Sequence, residues 1–383
     1  MTPPQILISA GEASGEMHAA RLATALRKRA DIHLFGLGGP RMGEAGVELV
    51  AHCSEVAVLG ISEVLHRLPA LRRVMRRLVA EAARRKPALA ILTDFPGFHL
   101  RLARKLRWQG VRNVYFICPQ FWAWRPWRVR LVKRRFEHAL CIFPFEEKFY
   151  RDAGVTVSFI GHPLANQLRP AMSLAELEEK RERFARKHGL DGHRPVVALL
   201  PGSRPGEIAH NLPPILEACR LLERDSPGRL QFVLAVAPGL KSEQIAEYVR
   251  SDRGVRLVED ATYDALTAAD VAIVSSGTAT VEAALLGAPM VVVYRLSAAT
   301  AWVARHLVRT PFFAMPNLIA GRRVVPELIQ NDFTPERVAE EARRLLDSPQ
   351  EREKMKRNLG EVRSKLGPGN AIERAADIVA RML

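Results

Sequence analysis

Cysteine is scarce in this chain of 383 residues, which contains only Cys53, Cys118, Cys141 and Cys219. No C-x-x-C pair or zinc-like spacing occurs, which argues against a structural zinc site or a redox-active pair. Scattered single cysteines are typical of proteins that work in a reducing compartment. We therefore expect four buried thiols without disulfides.

Long apolar segments are also absent. No window of about 20 residues is continuously apolar, so no transmembrane helix is predicted. The N-terminal sequence "MTPPQILISAGEASG" has neither a basic start nor a long apolar core, so no signal peptide is predicted. These absences predict a cytoplasmic protein, and the chain is long enough for two or three globular domains.

Several motifs that identify enzyme classes are missing from the sequence. The absence of G-x-x-x-x-G-K-[ST] argues against a P-loop nucleotidase, and "GLGGPRMG" at 36–43 does not fit G-x-G-x-x-G. Neither G-x-S-x-G nor H-E-x-x-H occurs, which argues against an α/β-hydrolase and a zinc protease. The D-x-D pair of many metal-dependent sugar-nucleotide transferases is absent as well, so no metal site is predicted.

Acidic residues are too few in the first half to balance its basic ones. The formal net charge is +16, and residues 1–165 hold 26 Lys and Arg against 13 Asp and Glu. The remainder is nearly balanced, with 31 against 28. The excess predicts an anionic partner for the first half, which leaves nucleic acid, an acidic membrane surface and a phosphorylated substrate open.

Both halves begin with an apolar strand, a glycine-containing turn and a helix, in "QILISAGEASGE" and "RPVVALLPGSRPGEI". The first helix is predicted from about Met17 to Arg29. Near-continuous apolar strands that alternate with amphipathic helices predict parallel sheets covered on both faces. Strands are predicted near 5–10, 32–36, 89–93, 113–117, 139–143, 156–160, 196–200, 230–236, 255–258, 271–274 and 289–294.

The pattern divides the chain into an α/β domain at 1–165, a charged helical linker at 166–193 and a second α/β domain at 194–345. C-terminal helices follow at 346–383, interrupted by "GPGN" at 367–370. Two doubly wound domains in series predict a ligand cleft between them, at the carboxyl ends of both sheets.

Two strand-to-helix turns in the second half are candidate phosphate-binding sites. In "SSGTATVEAALLGAPMVVVYR" (275–295), the small residues Ser276, Gly277 and Thr278 precede a helix whose N-terminal N–H groups attract anions, and Glu282 could accept hydrogen bonds from ribose hydroxyls. A capping role with a favourable helix-dipole charge explains the same residues. In "LLPGSRPGEI" (199–208), Ser203 lies in the tight turn and Arg204 could bind a diphosphate or simply be a surface arginine.

Two carboxylates are predicted at the carboxyl edge of the first sheet. Asp94 follows the strand in "AILTDFPGFHL" and is a candidate general base for a hydroxyl group, or else a helix cap before Pro96. Glu12 lies in "SAGEASGE", where Gly11 and Gly15 allow a close approach of the backbone.

Two further stretches combine arginine with apolar residues. The segment 118–136 mixes aromatic residues with six basic ones, so it could stack nucleobases, contact lipid or pack internally. The segment 64–85 has apolar residues at helical spacing, Val64 among them, and is either a packed helix with a basic outer face or a membrane-surface helix.

Nine strings occur in a fixed order along nearly the whole chain. They are "GEASGE", "GGPRM", "LGISEVL", "PQFWAWR", "FPFEEKFY", "FIGHPL", "LLPGSR", "SSGTATVEAALLGAPMVVVYR" and "PNLIAGR". Together they resemble the lipid-A-disaccharide synthase family, inverting glycosyltransferases of family 19. The resemblance implies the GT-B fold of that family, with two doubly wound Rossmann-like domains facing across a cleft.

The resemblance implies transfer of 2,3-diacylglucosamine from its UDP derivative to 2,3-diacylglucosamine 1-phosphate (lipid X) at the inner membrane surface. It implies that Asp94 takes part in catalysis with Glu12 nearby, and that Arg204, Glu282 and Asn317 serve UDP-sugar binding or activity. No cofactor is implied, because Arg204 would neutralise the leaving UDP. The family often has aspartate at the positions of Gly97 and Glu16, so position 97 is not expected to be essential.

Other functions remain open at this stage. A UDP-sugar epimerase or a transferase acting on another lipid-linked sugar would share the fold, and a nucleic-acid-binding protein would share the basic charge. No recognised nucleic-acid module is present, so nucleic acid is not expected as a partner. The choice between Asp94 and Glu12 as the base is undecided, and so is the oligomeric state, with a homo-oligomer as one option.

Overall fold

A computed structural model of the chain describes residues 3–56, 61–168, 173–250, 254–296 and 310–383. The side chains of residues 61–67, including Val64 of the predicted basic helix, lie outside the described residues, as do residues 169–172 of the predicted linker. The chain forms two compact units, residues 1–166 with 366–383 and residues 167–365. The predicted segment 346–383 is thus shared between the units, and the functional boundaries at 165, 193 and 345 stay a prediction.

The first unit contains a seven-stranded parallel sheet in the order β3-β2-β1-β4-β5-β6-β7. Its strands are β1 (Gln5–Ala10), β2 (His33–Gly38), β3 (Val47–His52), β4 (Leu89–Thr93), β5 (Arg112–Phe116), β6 (His138–Cys141) and β7 (Val157–Phe159). Its helices are α1 (Ala13–Arg27), α2 (Pro40–Glu44), α3 (Ile61–Arg85), α4 (Pro96–Trp108), α5 (Phe121–Trp124), α6 (Val129–Arg135) and α7 (Pro144–Asp152). The strand order reverses between β1 and β4, where doubly wound sheets bind their ligands.

The second unit contains a six-stranded parallel sheet in the order β10-β9-β8-β11-β12-β13. Its strands are β8 (Val196–Leu200), β9 (Gln231–Val236), β10 (Val255–Glu259), β11 (Val271–Ser275), β12 (Met290–Tyr294) and β13 (Glu327–Ile329). Its helices are α8 (Leu174–His188), α9 (Pro205–Asp225), α10 (Ser242–Val249), α11 (Thr262–Ala268), α12 (Thr278–Leu286), α13 (Met315–Ala320), α14 (Pro335–Asp347) and α15 (Pro349–Lys365). Here the order reverses between β8 and β11.

The predicted α/β class and the eleven predicted strands are confirmed, but two edge strands were missed. β3 has only two buried residues, Val47 and Ala51, and β13 has three residues in all, so neither has the continuous apolar run of the other strands. Helix α1 begins at Ala13 instead of about Met17. Gly15 is inside this helix and packs against β4, because a Cβ there would lie 3.6 Å from Cγ2 of Thr93.

Most of the cysteine thiols are buried in the protein, and so is the carboxylate of Glu16. None of the four cysteines forms a disulfide, and all are buried except Cys53, which is partly exposed. Glu16 is buried, and its Oε1 accepts the backbone N–H of Met42 at 2.9 Å. This bond connects α1 to the first turn of α2, so the carboxylate at position 16 stabilises helix packing.

The C-terminal helix α16 (Ala371–Ala380) completes the first unit by packing against α1. Ala375, Ala376 and Val379 are fully buried in the core that includes the apolar side of α1. Arg29 forms ion pairs at the rim of this contact, at 2.7 Å from Glu373 and 2.7 Å from Asp377. Apolar burial therefore forms the centre of the contact and charge forms its edge.

We expect the variant Val379→Ala to lower the free energy of unfolding of the first unit by about 2 kcal/mol, because it removes two methyl groups from a fully buried site. Arg29→Gln should cost less than about 1 kcal/mol, since its ion pairs are partly exposed. Urea unfolding followed by tryptophan fluorescence measures both, because four of the five tryptophans lie in this unit. A larger loss in Arg29→Gln would show that the ion pairs dominate the contact.

Candidate active site

Asp94 directly follows β4 at the point where the strand order of the first sheet reverses. Asp94 and Phe95 both adopt the left-handed conformation, each with φ 48°. This region is unfavourable for residues with a Cβ, so two in succession require support from their surroundings. The backbone N–H of Asp94 donates to the carbonyl of Phe116 at 3.2 Å, which attaches the turn to the end of β5.

Two buried side chains hold the carbonyl oxygen of Asp94. It accepts hydrogen bonds from Nδ1 of His99 at 2.8 Å and from the hydroxyl of Tyr115 at 3.0 Å. A carbonyl only accepts, so Nδ1 carries the proton and Nε2 accepts from the Ser9 hydroxyl at 2.8 Å. Burial lowers the pKa of His99 to about 4, so the ring is neutral at physiological pH. These contacts support the left-handed turn.

Gly11 makes room for this turn. A Cβ at position 11 would lie 2.3 Å from Cδ1 of Phe95, so any other residue would collide with the aromatic ring. The close approach predicted at Gly11 is thus made by Phe95, and at Gly15 it is made by Thr93. In both places the glycines of "GEASGE" bring α1 and its preceding turn against the end of β4.

The structure brings Asp94 and Glu12 to the same edge of the first sheet. Strands β1 and β4 are neighbours, with Ala10 opposite Thr93, and Glu12 is the exposed residue that precedes α1. Burial and the negative charge of Glu12 raise the pKa of Asp94 to about 6, against a smaller opposing effect from the backbone N–H of Phe95. A carboxylate with this pKa is a stronger base than an ordinary aspartate and is still mostly ionised at neutral pH.

In the second unit, the turn after β8 exposes the guanidinium of Arg204. The Arg204 side chain is 76% exposed and lies 3.9 Å from Oε1 of Glu207, a long ion-pair distance. The backbone N–H of Ser203 donates to Oε2 of Glu207 at 2.9 Å. Gly202 has φ 136° and no room for a Cβ, which would lie 2.6 Å from Cβ of Glu207. Glu207 therefore shapes the turn, and Arg204 projects from it.

The turn after β11 presents the N-terminus of α12. Gly277, with φ 145°, immediately precedes this helix, and Gly277 and Thr278 are both exposed. Ser276 is used within the protein, because its N–H donates to the carbonyl of Val293 at 2.9 Å and its hydroxyl to the carbonyl of Phe313 at 2.8 Å. Of the predicted anion-binding residues here, Gly277 and Thr278 are the ones that the fold leaves exposed.

Glu282 lies on α12, partly buried. Burial raises its pKa, and a hydrogen bond from the side chain of Tyr263 opposes this rise. Since Tyr263 is on α11, the bond fixes the Glu282 carboxylate relative to a neighbouring helix. The carboxylate retains further acceptor positions for hydroxyl groups.

Asn317 is fully buried and its amide group is saturated by the protein. Nδ2 donates to the carbonyl of Val325 at 3.0 Å and to Oε1 of Glu327 at 2.5 Å. Oδ1 accepts the backbone N–H groups of Val324 at 2.6 Å and Val325 at 2.9 Å. The amide thus joins α13 to the start of β13, which is a structural function compatible with an indirect effect on ligand binding.

The sequence reasoning missed Glu327, which connects Asn317 to the β11 turn. Its carboxylate accepts the backbone N–H groups of Phe313 at 2.9 Å and Ala314 at 3.2 Å, and the carbonyl of Phe313 receives the Ser276 hydroxyl. The sequence signal was an isolated acidic residue next to an apolar pair in "VVPELI".

Asn211 was also missed, although it joins three strand ends. It is fully buried on α9, and its Nδ2 donates to the carbonyl of Pro201 at 2.9 Å and to the Ser275 hydroxyl at 3.2 Å. Its Oδ1 accepts the backbone N–H of Arg295 at 3.0 Å. These partners end or follow β8, β11 and β12. The signal was an asparagine on the apolar face of a helix in "EIAHNLPPIL".

The two basic stretches differ in their burial. In α3, Leu78 and Ala82 are buried against the sheet, so the described part is a packed helix with outward arginines, and its membrane role is untested. In 118–136, Phe121 is buried, whereas Trp127 is 59% exposed. None of the helices that the structure describes is long and apolar enough to cross a membrane.

Comparison with known proteins identifies the family. Residues 6–380 match the family model described as lipid-A-disaccharide synthetase. The chain is 46% identical over 384 aligned residues to the lipid-A-disaccharide synthase of Myxococcus xanthus, covering 100% of this chain and 98% of the relative. It is 44% identical to that of Solibacter usitatus, covering 99% of this chain and 98% of the relative.

Solved structures share the fold at low sequence identity. A UDP-GlcNAc 2-epimerase from Neisseria meningitidis bound to UDP-GlcNAc superposes with a TM-score of 0.67 at 14% identity, covering 98% of this chain and 100% of that chain. The glycotransferase of kitacinnamycin superposes with a TM-score of 0.60 at 16% identity, covering 100% of both chains. These matches confirm the GT-B type of fold, which transferases and epimerases share, so the sequence relatives decide between the two. The chain belongs to the lipid-A-disaccharide synthase family, the glycosyltransferases of lipid A biosynthesis.

Proposed function

We propose that this chain transfers 2,3-diacylglucosamine from UDP-2,3-diacylglucosamine to the 6-hydroxyl of 2,3-diacylglucosamine 1-phosphate. The products are the β-1,6-linked disaccharide 1-phosphate and UDP. Family membership supports the reaction. The assignment of the catalytic residues rests on one observation: Asp94, at the end of β4, has a pKa that burial and the charge of Glu12 raise.

In this proposal Asp94 is the general base. Its carboxylate accepts the proton of the acceptor hydroxyl while that oxygen attacks the anomeric carbon of the donor sugar. Attack from the face opposite UDP inverts the α-linkage of the donor to a β-linkage. The hydrogen bonds that His99 and Tyr115 donate to the Asp94 carbonyl keep the carboxylate in one position during this step.

Glu12 is proposed to tune Asp94. Its negative charge raises the pKa of Asp94, and its own side chain is exposed at the start of α1. A second carboxylate at this edge makes Asp94 a better proton acceptor without itself contacting the reacting hydroxyl.

The second unit is proposed to bind the UDP part of the donor. The backbone N–H groups of Gly277 and Thr278, at the N-terminus of α12, would bind the diphosphate. Arg204 would neutralise the charge that develops on the leaving UDP, in place of a metal ion. Glu282, oriented by Tyr263, would accept hydrogen bonds from the ribose hydroxyls.

Ser203, Ser276 and Asn317 are proposed to contribute in different ways. The Ser203 hydroxyl is exposed beside Arg204 and could donate to a phosphate oxygen. Ser276 and Asn317 act as positioning residues, because their polar atoms are bonded to neighbouring segments of the protein.

A cytoplasmic location with peripheral association at the inner face of the cytoplasmic membrane is part of the proposal. The acylated substrates support it, and so does the excess of Lys and Arg over Asp and Glu in residues 1–165, 26 against 13. A homo-oligomer remains one option for the assembly.

Asp94→Asn removes the proposed base while it keeps the size of the side chain. We expect kcat to fall by about 100- to 10,000-fold with the KM for the donor nearly unchanged. Mass spectrometry of the product and release of UDP, with and without acceptor and chelator, measure this. Full activity in the variant would transfer the role of base to Glu12. UDP release that needs no acceptor would indicate hydrolysis of the donor, and conversion of the donor into an isomeric UDP-sugar would indicate an epimerase.

The acidic limb of the pH–rate profile should report Asp94. Because the base must be ionised, kcat/KM should fall tenfold per pH unit below about pH 6, the raised pKa of Asp94. Glu12→Gln removes a neighbouring negative charge, so the pKa of Asp94 should drop and the limb should move to lower pH. If Glu12 were the base, this variant would lose activity at every pH.

Glu282→Gln removes a charged acceptor from the proposed ribose site. The KM for the UDP-sugar should rise by about 10- to 100-fold, which corresponds to the loss of one charge-assisted hydrogen bond. Glu243→Gln, at an exposed glutamate on α10 of the same unit, is the matched control and should leave the KM unchanged. An unchanged KM in Glu282→Gln would remove Glu282 from the donor site.

A further inference from the structure

The part of the first unit that follows Asp94 carries positive charge without acidic neighbours in the sequence. No Asp or Glu occurs between Asp94 and Glu137, whereas 11 Arg and Lys residues do. Elsewhere in the unit arginines pair with carboxylates, as Arg77 does with Glu55 at 2.8 Å. Within the stretch, Arg112 pairs with Glu137 at 3.8 Å. Among the described residues, the other ten basic side chains form no ion pair with a carboxylate, which favours an anion from outside the chain.

Arg101, Arg125 and Arg128 form the centre of this charge. Nη1 of Arg101 donates to the carbonyl of Gly97 at 3.1 Å, so its guanidinium folds back to the first turn of α4, a helix that begins two residues after Asp94. Burial lowers the pKa of Arg128, and the positive charges of Arg125 and then Arg101 lower it further. Nε of Arg128 is buried without a hydrogen-bond partner. Within the described ranges, no carboxylate forms an ion pair with any of the three.

Two of these arginines, Arg125 and Arg128, each lie over the ring of a neighbouring tryptophan. Arg125 has φ 134° and ψ 53°, a conformation that residues with a Cβ rarely adopt and that often marks functional sites. The guanidinium carbon of Arg125 lies 4.3 Å from the ring centroid of Trp124, and that of Arg128 lies 5.5 Å from that of Trp127. Stacking on indole rings restricts the guanidinium planes while their N–H groups remain available.

The topology places this cluster at the same sheet edge as the proposed base. Arg125 and Arg128 lie in the segment that follows β5, and β5 pairs with β4, where Phe116 is opposite Thr93. Arg101 lies on α4, which begins two residues after Asp94. This placement would let a ligand contact the Asp94 carboxylate with one end and the cluster with the other.

We propose that Arg101, Arg125 and Arg128 bind the phosphate monoester of the sugar acceptor. This inference rests on the proposed function, in which the acceptor carries its reacting hydroxyl on C6 and its phosphate on C1, at opposite sides of one sugar ring. A phosphate monoester offers up to two negative charges and three acceptor oxygens, which match the forked donors of several arginines. The same chemistry could bind the headgroup of an anionic membrane lipid, so the experiment must separate these sources.

The test compares two acceptors with the full-length enzyme, 2,3-diacylglucosamine 1-phosphate and the 1-O-methyl analogue without phosphate. We expect Arg101→Gln and Arg128→Gln each to lower kcat/KM for the phosphorylated acceptor by about 10- to 100-fold, chiefly through KM. In both variants, kcat/KM for the analogue without phosphate and the KM for the donor should stay nearly unchanged. Arg107→Gln, an exposed arginine near the far end of α4, is the control and should match the wild type. Arg101 is exposed, so its variant keeps the test valid if Arg128→Gln does not fold.

Three results would overturn the assignment while the proposed function stands. In the first, the wild type has the same kcat/KM with both acceptors. In the second, the variants lose kcat/KM equally with both acceptors. In the third, the variants keep the preference for the phosphorylated acceptor but no longer bind phosphatidylglycerol vesicles. The last result would assign the cluster to lipid headgroups. If the wild type releases no UDP with either acceptor, the proposed function itself fails and the phosphate site with it.

Discussion

Buried side chains hold the ends of β4, β8, β11 and β12 by hydrogen bonds, and the arrangement of the candidate site depends on them. Backbone groups beyond the last sheet residue have no ladder partner, and burying them unpaired would be costly. In the first unit His99 and Tyr115 satisfy the Asp94 carbonyl. In the second unit Asn211 satisfies groups at three neighbouring strand ends. These bonds allow turns that the local backbone preferences alone would not favour, including the left-handed pair at Asp94.

The sequence predicted the regular parts of the fold and the positions of the main turns. Continuous apolar runs located the buried strands, and order along the chain placed Asp94, Arg204 and Gly277 after central strands, at sheet edges. Several of the contacts that hold these turns could not be predicted, since they join residues far apart in the sequence. His99 and Ser9 are 90 positions apart, and Asn211 and Arg295 are 84 apart. A buried polar residue in an apolar helix face indicates such a bond, but not its partner.

Some predicted site residues proved to be structural in their contacts. Ser276 and Asn317 are polar residues of the kind expected in a ligand site. Their side chains instead form hydrogen bonds with backbone groups of Phe313, Val324 and Val325. A residue motif therefore combines groups that could touch the substrate with groups that shape the turn. Exposure separates them, because Gly277, Thr278 and Arg204 are exposed and Asn317 is fully buried. Within one family motif, we therefore expect substitutions of exposed residues to act on substrate contacts and substitutions of buried residues to act on the shape of the turn.

Electrostatics connects the proposed base to the proposed phosphate site. A bound phosphate monoester adds negative charge at the sheet edge where Glu12 already raises the pKa of Asp94. Without compensation, a further like charge would raise this pKa again and protonate the base at neutral pH. In the proposed site, arginines around the phosphate would offset most of its charge, so the carboxylate would stay ionised while the acceptor is bound. The basic stretch after Asp94 would then serve both substrate binding and proton transfer.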